Sequence, residues 1–306
     1  MGLFFQNLYE IKGGLSKKKV FRKKEKNYNK IIIDFSRDKK EFHDFLNVYN
    51  ILLKINIAIP RIYEVHLNKH FIIMEDFGDN TYDKVIKKKE IYNLLKLAVD
   101  SLIIIQNSIT SYDLCHLEKY KFNNLMKEIS EFVDYYLPYK KINNFDKSHF
   151  FEIWEKNYNS QNFDFNYFAH KDFELINIFL LQNNNSKLKC GIIDFQSAFR
   201  GFAGWDLFSL LENSRINFTS QYNEEFIKYF YENISFQSDF TSFRDQYYIL
   251  NLARQTRLLG RWVKISYQGN KNYLDYIYST KSRLISSLVN IKDENLKKIY
   301  EEVLSI

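Results

Sequence analysis

The chain is poor in the residues that punctuate or staple a fold: its 306 residues include 2 prolines, 9 glycines and 2 cysteines. So little Pro and Gly excludes collagen-like and linker-dominated architectures. Cys115 and Cys190 make no disulfide framework and fall in no zinc-ligand spacing, so a reducing cytoplasm is the expected compartment. Long apolar runs are missing too. The longest, such as Leu102–Ile105, fall well short of the roughly 18 residues a membrane span needs. The opening MGLFFQNLYEIKGG has no basic stretch ahead of a long apolar run, which argues against a secretory signal.

What the chain does have is aromatic and apolar substance, with 45% hydrophobic and 18% aromatic residues. That is enough to order a core and exclude global disorder, and the length allows one large core or two lobes. A formal net charge of +7 could serve nucleic acid, an anionic membrane or an anionic ligand such as ATP. Lys, Asn and Ile are abundant together, however, which reads as a general bias rather than a basic face. No nucleic-acid module signature is present, so neither nucleic acid nor membrane is an expected partner. The densest basic run, KKKVFRKKEK at 17–26, is either a solvated hairpin or one that faces phosphates.

The pattern along the chain predicts an α+β fold with two lobes. Extended candidates at 5–12, 18–25 and 30–35 precede a helix at 38–54, with apolar positions Phe42, Phe45, Leu46, Tyr49, Leu52 and Leu53. Pro60 breaks the helical pattern before two more strands, RIYEVHL and HFIIMED. After a hinge at 75–79, helices are expected at 82–107 and 118–137. Residues 139–166 show no clear period, a strand–loop–strand unit covers 176–195, and the remainder from 204 is helical. The expected division is therefore an N-terminal lobe at 1–76 and a larger helical lobe at 77–306.

Chemistry concentrates in HKDFELINIFLLQNNNSKLKCGIIDFQSAFRGFAGWDLFSLL, residues 170–211. A hairpin of its two strands brings Asn177 and Asp194 to one end, with Asp172 just before them. Carboxylate and amide oxygens gathered there suit Mg²⁺, a hard ion that takes further ligands from substrate phosphates. A further carboxylate can orient an acceptor hydroxyl and take its proton. Any one of these residues alone would be an ordinary turn residue; the joint spacing makes the signal.

The H-x-D-x-x-x-x-N string followed by two apolar residues and D-F resembles the aminoglycoside phosphotransferase/choline kinase superfamily, whose fold is protein-kinase-like. The longer string IIDFQSAFRGFAGWDLFSLL is similar to the branch of anomeric N-acetylmuramate and N-acetylglucosamine kinases that serve peptidoglycan recycling. FIIMEDFGDNTY at 71–82, SYDLCHLEKYKFNNLMKEISEFVDYYL and ARQTRLLGRWVKI extend the likeness over nearly the whole chain. The resemblance implies ATP and Mg²⁺ as cofactors and a small-molecule acceptor. It implies Asp172 as catalytic base, Asn177 and Asp194 as metal ligands, and His170 and Asp206 as supports of the catalytic loop. Met74, Glu75, Asp76 and Phe77 would meet the adenine. Gln196 and Arg254 are implied acceptor contacts, with Arg257 weighed beside Arg254.

Departures from the family pattern are specific. G-x-G-x-x-G is replaced by Gly13-Gly14 and Ser16, followed by Lys17, Lys18 and Lys19, which are candidate phosphate neutralisers. The strand position that usually carries an ATP-binding Lys reads Ile33-Asp34, and Glu41 is the nearest candidate for its partner carboxylate. The second Asp of the branch's D-F-Q-D is Ser197. Two other readings stand beside the sugar kinase: a choline, ethanolamine or aminoglycoside kinase, and a pseudokinase that binds nucleotide without transfer.

Overall fold

The structure, a computed structural model, describes residues 8–11, 17–26, 28–86, 90–182, 188–215 and 222–304. Ser16 lies outside them. The β-branched run Ile31-Ile32-Ile33 anchors the first sheet, as its strand propensity suggests. Strands β1 (Leu8–Ile11), β2 (Lys19–Lys24), β3 (Asn29–Asp34), β4 (Ile62–His66) and β5 (Phe71–Glu75) pair antiparallel in the order β1-β2-β3-β5-β4. Val20 lies opposite Ile33, which lies opposite Ile72. Helix α1 (Lys39–Leu52) starts where the Asp38 side chain accepts from the Glu41 N–H at 3.1 Å. It buries Phe42, Phe45, Val48, Tyr49 and Leu52 along one stripe.

Further along, the structure departs from the expected helix boundaries. The stretch 82–107 divides into a single turn, α2 (Tyr82–Val85), and α3 (Ile91–Ser108), which buries Leu94, Leu95, Ala98, Leu102 and Ile105. A Thr110–Asp113 capping box opens α4 (Ser111–Leu114). The helix expected at 118–137 is α5 (Phe122–Glu131), a π-helical turn at Phe132–Tyr136, and α6 (Leu137–Tyr139). The helical backbone continues one residue past Pro138 and ends at Tyr139, with Lys141 left-handed (φ 59°).

Residues 139–166 hold a helix that the sequence pattern does not show: α7 (Lys147–Ser160). Asp146 caps it by accepting from His149 N–H at 3.0 Å, and Phe150, Ile153, Trp154 and Asn157 form its buried stripe. The polar Asn157 hides the period; its amide is satisfied by donating to the Ile153 carbonyl at 3.0 Å.

Strand β6 (Tyr167–Ala169) precedes the hairpin of β7 (Ile178–Gln182) and β8 (Leu188–Ile192), and β9 (Phe199–Gly201) returns to pair with β6. Helices α8 (Trp205–Leu211), α9 (Asn223–Glu232), α10 (Phe240–Tyr267), α11 (Ile277–Val289) and α12 (Glu294–Leu304) complete the chain. Among the described residues, no helix is long and apolar enough to cross a membrane.

The chain divides into two compact units, Met1–Leu117 with His170–Ala198, and Glu118–Ala169 with Phe199–Ile306. This division differs from the one at 76/77 because of packing. Phe195 stacks on Phe45 of α1 with ring centroids 4.8 Å apart, and Ile192 N–H donates to the Ala58 carbonyl at 2.8 Å. The β7–β8 hairpin and α3 thus group with the sheet. In the second unit α10 approaches α5 so closely that a Cβ on Gly260 would lie 2.0 Å from the Glu131 carbonyl oxygen. Only glycine fits there.

Candidate active site

The segment between β6 and β7 is shaped by its own backbone. Lys171 adopts a left-handed conformation (φ 79°), and the Asp172 carbonyl accepts from Glu174 N–H at 2.8 Å and from the Asn177 side-chain amide at 2.9 Å. Asn177 N–H donates to the Glu174 carbonyl at 2.8 Å, and Ile193 N–H donates to the Asn177 carbonyl at 3.1 Å. Asp172, Asn177 and the start of the Asp194 segment are therefore brought together within the first unit. With its NH₂ end committed to Asp172, the Asn177 amide presents its oxygen as the remaining ligand atom.

His170 is fully buried, and its Nε2 donates to the Ile193 carbonyl at 3.0 Å. Burial lowers its pKa to about 4, with nearby Asp194 offsetting part of that effect. The ring is therefore neutral near pH 7, and it ties the Asp172 loop to the strand that leads into Asp194. Asp194 itself has φ 65°, a left-handed conformation that Asp tolerates better than most residues.

Around the Asp194 carboxylate is a compact charge cluster. Lys18 Nζ donates to Asp194 Oδ1 and lies 3.5 Å from Glu41 Oε1. The Gln196 amide donates to both carboxylates, at 3.1 Å to Glu41 and 3.1 Å to Asp194. The Lys18 side chain is only 9% exposed, whereas that of Asp194 is 34% exposed. Burial alone would raise the Asp194 pKa, but the Lys18 ammonium and the Gln196 amide hold it below the usual carboxylate value. Lys18 Nζ also lies 6.0 Å from the Phe35 ring centroid.

Of the three lysines named from the sequence, Lys18 is the one that reaches this cluster. Lys17 is exposed, and Lys19 faces Asp34 across the β2–β3 register. Ile33 is buried in the sheet, and Asp34 Oδ1 accepts from Ser36 N–H at 2.8 Å. Among the described residues, no three His, Cys, Asp or Glu side chains form a group able to hold a metal. One carboxylate and one amide oxygen suit a hard cation that draws its other ligands from phosphate and water, so Mg²⁺ fits this donor set.

At the hinge, Met74 is buried on β5, and Glu75 N–H is committed to the Arg61 carbonyl at 2.8 Å. Asp76 Oδ1 accepts from Gly78 N–H at 2.8 Å, and Phe77 packs edge-on against Phe179. Arg22, on β2, holds this segment: Nε lies 2.6 Å from Asp76, Nη1 donates to Asp79 at 2.8 Å, and Nη2 donates to the Gly78 carbonyl at 2.9 Å. Sequence reasoning missed Arg22, which sits inside a basic run with no signal to separate it from its neighbours. It also left Glu41 as a mere nearest candidate.

Asp206 and Arg254 belong to the second unit, and both are buried. Arg254 and Arg283 lie near Glu212, whose carboxylate accepts from the Asn223 amide at 2.7 Å and lies 3.7 Å from Arg283. Gln255 donates to the Glu212 carbonyl at 3.1 Å. Burial raises the Glu212 pKa more than Arg283, Asn223 and Arg254 lower it. Arg257 pairs instead with Glu128 at 3.9 Å.

The chain is 24% identical over 232 residues to an N-acetylmuramate/N-acetylglucosamine kinase of Caulobacter vibrioides, covering 72% of this chain and 63% of that protein. The match therefore spans less than two thirds of that relative. A kinase of the same name from Pseudomonas aeruginosa is 22% identical over 249 residues, covering 79% and 71%. Among solved structures, choline kinase LicA from Streptococcus pneumoniae superposes with a TM-score of 0.63 at 16% identity, covering 92% of this chain and 95% of that one. The ADP-bound aminoglycoside phosphotransferase APH(2'')-Ib gives 0.59 at 16% identity, covering 96% and 94%. These likenesses establish the α+β, protein-kinase-like fold expected from the sequence. Residues 8–237, three quarters of the chain and all of the Asp172–Asp194 segment, match the family model for APH, and the chain belongs to this phosphotransferase enzyme family.

Proposed function

We propose that the protein is a cytoplasmic ATP- and Mg²⁺-dependent kinase of a small amino sugar, acting on the anomeric hydroxyl of N-acetylmuramate or N-acetylglucosamine. The observation that carries this reading is the meeting of Asp172, Asn177 and Asp194 in one loop–hairpin arrangement. In the proposed reaction the acceptor oxygen bonds to the γ-phosphorus as the bond to the β–γ bridging oxygen breaks. ADP leaves, and the hydroxyl proton passes to the Asp172 carboxylate. Asn177 and Asp194 would hold Mg²⁺, which when bound neutralises phosphate charge.

The protein's share of the work is position. Asn177 is oriented by the Asp172 carbonyl, and neutral His170 holds Ile193 next to Asp194. Met74 would line the adenine pocket and the backbone of 75–77 its edge, with Arg22 keeping that segment in place. Gln196 is engaged with Glu41 and Asp194, so we assign it to support rather than to acceptor binding. Arg254, sealed beside Glu212, is likewise left out of the acceptor contacts.

The two amino-sugar kinases among the relatives support the acceptor class, whereas the choline kinase and aminoglycoside phosphotransferase support only the fold. The test is ATP turnover with N-acetylmuramate, N-acetylglucosamine, choline, ethanolamine and kanamycin, comparing wild type with Asp172→Asn. An N-acetyl amino sugar should exceed choline and kanamycin by about tenfold or more, the worth of one buried hydrogen bond. Its product should be an acid-labile 1-phosphate. Higher efficiency on choline, or an acid-stable sugar phosphate, would overturn the acceptor assignment. ATP binding with no transfer to any acceptor would establish the pseudokinase reading.

A further inference from the structure

We propose that Lys18, at the entrance to β2, is the phosphate-contacting cation of this chain in place of a lysine at the Ile33-Asp34 position of β3, and that it exchanges Asp194 for nucleotide phosphate when Mg²⁺-ATP binds. The inference rests on the nucleotide site proposed above and deepens it.

Three observations converge. First, the β3 position that usually carries a lysine reads Ile33-Asp34; Ile33 is buried, and Asp34 accepts from Ser36 N–H. Second, Lys18 is the lysine that pairs with both Glu41 of α1 and Asp194. Its neighbours cannot take this place: Lys17 is exposed, and Lys19 belongs to the β2–β3 ladder opposite Asp34, with adjacent strand side chains pointing to opposite faces. Third, one ammonium is held by two carboxylates in a cluster of net negative charge, bridged by the Gln196 amide. With one ammonium shared between two carboxylates, such a cluster repels phosphate until further positive charge enters it. A divalent cation on Asp194 would release Lys18 from it, leaving Glu41 as the anchor and the ammonium available to phosphate.

This arrangement predicts effects of opposite sign, which a purely structural role for Lys18 would not produce. ATP and Mn²⁺ affinities are measured separately by titration on wild type, Lys18→Met, Lys18→Gln, Lys17→Met and Lys19→Met. Both Lys18 variants should bind ATP about tenfold more weakly or worse, the loss of one charge-assisted hydrogen bond. Without nucleotide, the same variants should bind Mn²⁺ more tightly by about fivefold or more, because Asp194 has lost its resident cation. Lys17→Met and Lys19→Met should change either affinity by less than about twofold. Lys18→Gln keeps a hydrogen-bond donor and decides the matter if Lys18→Met fails to fold. If wild type binds ATP and the Lys18 variants bind it equally well, the Lys18 assignment falls while the nucleotide site stands. Weaker ATP together with weaker Mn²⁺ binding would reduce Lys18 to a structural residue and overturn the exchange. No ATP binding by wild type would overturn both readings.

Discussion

Two clusters of nearly the same chemistry occur in this protein with opposite settings. In the first unit Asp194 meets Lys18 and the Gln196 amide; in the second Glu212 meets Arg283 and the Asn223 amide. The Asp194 side chain is one-third exposed, and its pKa is held below the usual value. Glu212 is sealed at 2% exposure, and burial pushes its pKa up despite two arginines. A carboxylate that stays ionised and reaches solvent can pass from an ammonium to a metal. One closed off among helices cannot, and its partners serve to make burial tolerable. Residue type alone does not separate the two clusters; access to water does.

The largest test of this contrast is Asp194→Ala. Phosphoryl transfer should fall by about a thousandfold or more, with little loss of thermal stability, because Lys18 retains Glu41. Global unfolding of this variant would erase the distinction between the clusters. Glu212→Ala should do the reverse, costing roughly 3–5 kcal/mol in urea denaturation by removing the carboxylate that lies beside two buried arginines, while ATP affinity in the surviving folded protein stays at the wild-type value.

Glu212 also carries a pH signature. Its folded-state pKa lies above the unfolded value of 4.5, so its contribution to stability is full below about pH 4.5 and is lost as pH rises through the folded pKa. In urea titrations across pH, that declining component should vanish in Glu212→Gln. A component unchanged by the substitution would show that Glu212 is ionised in the folded protein and paired well enough to offset its burial.

Gly260→Ala should cost about 1–3 kcal/mol or more by driving α10 from the Glu131 backbone, measured as a fall in melting temperature. An unchanged melting temperature would mean that the approach of α10 to α5 relaxes freely. The smallest effect is expected for Lys17→Glu, within about 0.5 kcal/mol of wild-type stability, since Lys17 is exposed.

Much of the first unit was legible from local pattern. The Ile31–Ile33 run, the α1 stripe and the 170–194 spacing each follow from short-range rules: strand propensity, helical periodicity and a hairpin that returns Asp194 to Asn177. Helix α7 was not legible, because Asn157 occupies a buried position that the pattern reserves for an apolar side chain and is satisfied only by bonding back to Ile153. Arg22 was hidden for a different reason. Its partners Asp76, Gly78 and Asp79 lie more than fifty positions away, and no local spacing links them.

By itself, then, the sequence determined the fold family and the trio Asp172, Asn177 and Asp194, because backbone turns and strand pairing bring residues of one short segment together whatever surrounds them. Only the tertiary structure decided which lysine of 17–19 faces Asp194, that Glu41 and Gln196 share it, and that Arg254 is sealed beside Glu212. Those outcomes depend on which face of a strand turns inward and on how much water remains around a charge. Both are set by packing between segments far apart in the chain.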